Sequence, residues 1–261
     1  MLVLLPPSEG KTGRSRGRPV DTAMLSFPEL TGARATVLEV LATVSARDDA
    51  AMTLGVPDTL SDQVRRNTRW RSEPAVPVSS LYTGVLYDAL GLPGLPVGAR
   101  RRAARRLLVV SAAWGLLRPG DRVPPYRLSM DATLPGTGPL ASFWRPRLEE
   151  VLPVLDDGLV VDCRSQTYAA AWRPTGAVAE RSVTVSVLRD TVGRRSVVSH
   201  LAKHTRGLVA RHLVTRDGRD PRTATSLAAA LGEAFEVELS APARDGSRRI
   251  DIVLTDPAPP A

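Results

Sequence analysis

Ala99-Arg-Arg-Arg-Ala-Ala-Arg-Arg-Leu-Leu-Val-Val-Ser111 is where the fold class becomes legible. Alanine and arginine fill the first eight positions, and both favour helix. Four apolar residues follow without interruption, two of them β-branched, as in a strand buried on both faces. A short basic helix therefore runs straight into a buried strand. The same alternation extends outward in both directions. Met1-Leu-Val-Leu-Leu5 reads as a strand, and Pro6-Pro-Ser-Glu-Gly-Lys-Thr12 as the loop after it. Residues 32–46 carry an apolar helical stripe at Val37, Leu38, Leu41 and Val44. Residues 58–70 read as a second helix with a basic end at Arg65, Arg66, Arg69 and Arg71. Residues 112–139 form a long Gly- and Pro-rich loop, of the length that in compact domains carries function.

Downstream, residues 140–155 read as a helix and Leu159-Val-Val-Asp-Cys163 as a buried strand. Ser165 stands at a helix-cap position. Residues 183–188 alternate as a strand does, and Val197-Val198 closes another. Residues 199–215 and 225–231 are helical, and residues 235–239 and 248–254 pair as late strands. Strands alternating with helices predict an α/β fold, a single domain over residues 1–255 with a mixed sheet flanked by helices. The Pro-rich residues 256–261 are expected to fray.

Composition narrows the function classes. The chain carries 43% hydrophobic residues, enough for a core. It lacks any run of about 18 apolar residues, so no membrane span is expected. Pro6 and Pro7 end the apolar start, which is too short for a signal peptide, and a cytoplasmic location is expected. Cys163 is the single cysteine, which excludes an internal disulfide and a cysteine zinc finger. It reads as a buried strand residue, with a peroxidatic thiol as the alternative. Net charge is +8, a balance that attracts polyanions, nucleic acid first. Of the 35 basic residues, however, only Lys11 and Lys203 are lysines. Ile and Asn are almost absent too, so a GC-rich codon bias accounts for part of the arginine. Under such a bias a surviving lysine marks a place where guanidinium does not serve. Lysine has a compact ammonium and a pKa that burial lowers.

The helix over residues 199–215 places Ser199, Lys203 and Arg206 on one face, beside Gly207, which permits close approach. A hydroxyl and two cations on one stripe suit an anion or phosphate; a solvated basic face is the alternative. His200 and His204 lie four apart but lack a local carboxylate, so no metal site and no cofactor are expected. Gly10-Lys11-Thr12 lacks the first glycine and spacing of a P-loop. Lys11 and Glu9 remain as a cation and an acid/base pair after a strand, where ligands gather in α/β folds. In the long loop, Trp114, Arg118, Asp121, Tyr126 and Arg127 suit either base stacking or anchoring to the core. Leu92-Pro-Gly-Leu-Pro-Val-Gly98 before the arginine helix has the form of a degenerate helix-hairpin-helix, with Pro96 where a second glycine is expected.

Together these segments resemble the YaaA family, in order along most of the chain. The resemblance rests on Pro7-Ser8 with Lys11, on Tyr82 to Tyr87, and on Ser111, Gly115, Leu117, Arg118, Pro119 and Asp121. It continues through Pro125, Tyr126, Arg127, Leu128 and Met130, then Phe143-Trp144, then Asp162, Ser165 and Tyr168, and ends on Lys203, Arg206 and Gly207. Trp114 replaces the usual tyrosine. The resemblance implies a role in limiting oxidative damage, lower free intracellular iron, and DNA binding through a positively charged cleft and a helix-hairpin-helix.

The leading expectation is a cytoplasmic peroxide-stress protein that binds duplex or junction DNA without sequence preference. The candidate DNA or anion contacts are Lys11, Arg101, Arg105, Arg118, Arg127, Ser199, Lys203 and Arg206. The alternative is an enzyme acting on a nucleobase or nucleotide, with Lys11, Lys203, Asp121 and Ser165 as candidate catalytic residues. Iron sequestration by the chain itself is disfavoured, because iron sites need clustered His and carboxylates.

Overall fold

The computed structural model describes residues 1–191, 194–196 and 199–255, without the side chains of 191–200. Val197-Val198, the Ser199 and His200 side chains and the tail from Asp256 lie outside the described residues.

An eight-stranded sheet forms the centre. Its strands are β1 (Leu2–Leu5), β2 (Leu107–Ser111), β3 (Gly115–Leu117), β4 (Val160–Asp162), β5 (Ser182–Thr191), β6 (Arg194–Ser196), β7 (Glu236–Leu239) and β8 (Arg248–Thr255). They run in the order β7-β8-β5-β4-β1-β2-β3, with β6 paired to β5. β8, β5, β4, β1 and β2 are mutually parallel. β3, β6 and β7 are antiparallel to their neighbours, so the sheet is mixed, as the alternation of elements predicts. Every residue of β1 and β2 is buried, which is why both read as unbroken apolar runs.

The principal helices are α1 (Thr31–Ser45), α2 (Val85–Leu90), α3 (Val97–Arg106), α4 (Leu140–Val151), α5 (Ser199–Thr215) and α6 (Ala224–Gly232). α5 packs against α2, α3 and β5. A Cβ on Gly207 would collide with the Leu86 carbonyl oxygen and lie 2.9 Å from the Ala89 side chain. The glycine is therefore what allows α5 to lie on α2. One turn on, Arg211 Nη1 donates to the Leu90 carbonyl at 3.0 Å, so the two helices run in parallel register.

Two expectations are corrected. The helix over residues 58–70 is three pieces: a 3-10 turn (Asp58–Leu60), an α-helical stretch (Ser61–Arg66) and a second 3-10 turn (Asn67–Arg69). Buried Asn67 shapes the break. Its side chain donates to Ser45 Oγ at 3.0 Å and to the Arg127 carbonyl at 2.9 Å, and accepts from the Arg127 N–H at 2.8 Å. The basic end is mostly neutralised: Arg66 and Arg69 pair with Glu73, and Arg71 with Glu39. The long loop is also not loose. It contains β3, and buried Arg34 donates to the carbonyls of Ser26, Phe27, Trp114 and Leu116. Trp114 is fully buried, edge-on to Trp70 at 6.1 Å. Anchoring, one of the two readings of Trp114, is thus what the packing displays.

The hairpin element has a helix on each side: α2, then Gly91 with φ +59°, then α3 behind Pro96. Two arginines of α3 turn inward. Arg102 donates to the Val214 carbonyl at 2.8 Å, and Arg106 reaches the Leu213 carbonyl and Asp220. These cations meet the C-terminal end of α5, where a helix dipole favours positive charge. Arg100, Arg101 and Arg105 are exposed.

Candidate functional site

The sheet order itself locates a crevice. The chain leaves β1 towards β2 on one side and leaves β4 towards β5 on the other. The gap beyond the C-terminal ends of β1 and β4 is therefore a topological switch point, where open α/β sheets bind ligands. A cavity of about 430 Å³ opens there, at the lower end of the volumes usual for small-molecule sites. The loop after β1 contributes Ser8, Glu9 and Lys11. The segment after β4 contributes Tyr168, and the long loop adds Arg127, Ser129 and Asp131. The turn from Met52 to Val56 forms the opposite wall, with Met52 exposed.

Lys11 is held in an unusual way for a cation. Its Nζ donates to the carbonyls of Ser8 at 2.7 Å and Glu9 at 3.3 Å. It lies 4.3 Å from the centroid of the Tyr126 ring and 5.7 Å from that of Tyr82. The nearby carboxylate is engaged elsewhere: Glu9 Oε2 accepts from Arg127 Nη2 at 2.7 Å. Burial lowers the Lys11 pKa most, the Arg127 charge lowers it further, and Glu9 raises it only in part. The result is about 7, against 10.5 for an ordinary lysine. Near neutral pH this side chain is an amine as much as an ammonium.

Around it stand the chain's four tyrosines. Tyr126 OH bonds to Ser111 Oγ at 2.7 Å and to Tyr82 OH at 3.0 Å. Tyr87 packs on Tyr82 and donates to the Pro6 carbonyl at 2.8 Å. Tyr168 lines the same cavity, and burial pushes its pKa up to about 12. These phenols stay protonated at physiological pH and orient the Lys11 loop.

The other sequence candidates fall elsewhere. Lys203 does not line this cavity. It continues the Gly207–Arg211 stripe one turn towards the N-terminus of α5, and is exposed. Arg206 does not share its setting, because Arg206 Nε donates to the Val185 carbonyl on the sheet at 3.3 Å. Asp121 is buried and ties loops together, accepting from Ser26 N–H and Oγ at 2.9 Å and from the Arg118 N–H at 2.7 Å. The Arg118 guanidinium donates to the carbonyls of Ala104 and Arg105 at the end of α3. Ser165 precedes the short helix Gln166–Ala169 at its cap position, but its side chain makes no capping bond. Asp131, Ser129 and the Met52–Val56 wall are additions that the sequence reading missed.

Cys163 is fully buried, and burial pushes its thiol up to about 12. A thiol so held is protonated and shielded from oxidants. The native protein is expected to resist alkylation of Cys163 at pH 8 and to react fully once unfolded in urea; labelling of the folded chain would contradict this. Among the described residues no three His, Cys, Asp or Glu side chains form a group able to hold a metal.

Comparison with known sequences decides the lineage. The profile described as "Peroxide stress protein YaaA" matches residues 1–237. The chain belongs to the YaaA family. Its YaaA relatives include a UPF0246 protein of Streptomyces coelicolor, 48% identical over 94% of this chain and 95% of its own length. A UPF0246 protein of Corynebacterium efficiens is 42% identical over 87% of this chain and 88% of its own. Another, from Corynebacterium glutamicum, is 38% identical over 90% and 95%. The YaaA assignment thus covers the β1 loop, the long loop and α5, which carry the residues discussed above.

Proposed function

We propose that this protein serves its family's peroxide-stress role as an enzyme acting on a nucleobase or nucleotide, with Lys11 as a neutral amine. The observation that carries this reading is Lys11 itself: a lysine in a switch-point cavity, bonded to carbonyls and without an ion-pair partner among the described residues. The charges beside Lys11 suit the base of such a substrate better than its phosphate. Glu9 and Asp131 offset Arg127, and Asp131, exposed at the mouth, is free to accept N–H or O–H donors. Ser8, Ser129, Thr53 and Thr133 add hydroxyls. Calorimetric titration with free nucleobases and nucleosides tests the idea. Binding that weakens as pH falls through about 7 and disappears in Asp131→Asn is expected; no heat with any of them would count against it.

A second reading, sequence-independent DNA binding, is favoured by Arg100, Arg101 and Arg105, which leave their guanidinium groups to solvent on one side of α3. In gel shifts, replacing all three by glutamine is expected to weaken duplex binding and to flatten its salt dependence. The slope should fall by roughly one for each arginine. If the unmodified protein shows no salt-sensitive shift, this reading is lost. Any influence on intracellular iron is then indirect, through damage avoided rather than metal held.

A further inference from the structure

We propose that Lys11 is a covalent nucleophile that forms an imine with an aldehyde, the ring-opened form of a sugar or a free small aldehyde. The proposal rests on the reading of Lys11 as a neutral amine, and goes beyond it in naming the bond made and the carbonyl class.

The geometry points to this chemistry through what surrounds the amine. Two of its three nitrogen positions face carbonyl oxygens of its own loop, Ser8 at 2.7 Å and Glu9 at 3.3 Å. An amine that donates two N–H bonds there keeps its third position, the lone pair, for another partner. Among the described residues no carboxylate forms an ion pair with Lys11, and Glu9, which would draw a proton onto it, is held by Arg127 at 2.7 Å. Burial desolvates Lys11, which keeps a lysine nucleophilic, and it outweighs the pull of the Tyr126 and Tyr82 ring faces on an ammonium. Arginine cannot take over this task, which fits the survival of lysine among 33 arginines.

The step balances without an oxidant or reductant. The Lys11 nitrogen lone pair adds to the carbonyl carbon, and a proton moves from nitrogen to the former carbonyl oxygen, giving a carbinolamine. The C–O bond then breaks and the nitrogen gives up its second proton. The imine forms, and both amine protons leave in one water molecule. Asp131, the cavity carboxylate that Arg127 does not hold, takes the part of proton relay in this step. The uncharged carbonyl and its hydroxyl neighbours suit a cavity in which Arg127 is already neutralised and hydroxyl side chains are plentiful.

The chain's composition makes the test unusually clean, since Lys203 is the only other lysine and is exposed. The full-length protein is incubated at neutral pH with sodium cyanoborohydride and either glycolaldehyde or a duplex bearing one abasic deoxyribose. The adduct is mapped by peptide mass spectrometry. The expected result is a stable adduct on Lys11 in at least tenfold excess over Lys203, retained in Lys203→Arg and absent in Lys11→Arg. Capture from the duplex alone would identify a nucleic-acid sugar as the source, and capture of glycolaldehyde alone a free metabolite; either supports the proposal. Equal labelling of the two lysines, or none on Lys11 with either probe, overturns it. Competitive acetylation across pH separates this failure from that of the underlying reading. If Lys11 gains reactivity near pH 7 yet yields no adduct, only the imine is lost. If Lys11 gains reactivity only near pH 10.5, as an ordinary lysine does, both fall.

Discussion

Replacing Lys11 by methionine is expected to abolish function while making the protein more stable at pH 7. In the proposed reading function depends on the amine, and an acid–base or nucleophilic group of this kind is worth about 100-fold or more in rate. Cells relying on Lys11→Met, or on Lys11→Arg, should survive peroxide no better than cells without the protein. Stability moves the other way because the folded state penalises the charged lysine. Its pKa falls from 10.5 to about 7, so between those values the unfolded chain binds a proton that the folded chain does not. Stability from this group therefore rises with pH across that window, and the full penalty applies below about 7. Methionine keeps the apolar stem and removes the penalty. A gain on the order of 2 kcal/mol in urea unfolding at pH 7, shrinking towards pH 10.5, is expected after allowance for partial solvation. A variant that is less stable at pH 7, or whose peroxide survival is intact, would refute the assignment. Such an opposition between activity and stability is what a strained functional residue produces.

The second large effect belongs to Gly207. Any side chain there meets the Leu86 carbonyl, which is backbone and cannot swing away. Gly207→Ala gains about 1 kcal/mol of helix propensity but should lose more through displacement of α5 from α2, for a net cost of roughly 1–3 kcal/mol. Gly207→Val should cost more and broaden the unfolding transition. Gly232→Ala, at the end of α6 with open space around it, serves as the control and should be neutral or mildly stabilising. Equal behaviour of the two alanine variants in urea titration would show that the close approach carries no energy.

How much of this was legible beforehand differs by element. β1 and β2 declare themselves because burial on both faces removes any polar alternation. α5 was bounded correctly at Ser199–Thr215, since its apolar stripe has a clear helical period. The helix over residues 58–70 was not, because what shapes it is Asn67 bonding to Arg127, 60 residues away. The two lysines stand out by their rarity, but rarity cannot say that Lys11 lines the switch-point cavity and Lys203 does not. Asp131 and Ser129 were missed although a signal was present. In Arg127-Leu-Ser-Met-Asp131 the polar residues alternate with Leu128 and Met130, which are buried. An extended segment with that period presents Arg127, Ser129 and Asp131 to one side. The paired arginines of α3 were indistinguishable from the free ones because their partners are carbonyls at the far end of α5.

The gathering of Tyr82, Tyr87, Tyr126 and Tyr168 at the Lys11 loop gives the protein an internal optical probe. With no tyrosine elsewhere in the chain, the phenol bands in ultraviolet difference and resonance Raman spectra come from this one locale. Protonation of Lys11, arrival of a ligand or formation of a covalent adduct can each be followed there in real time, without a dye and without altering a single residue.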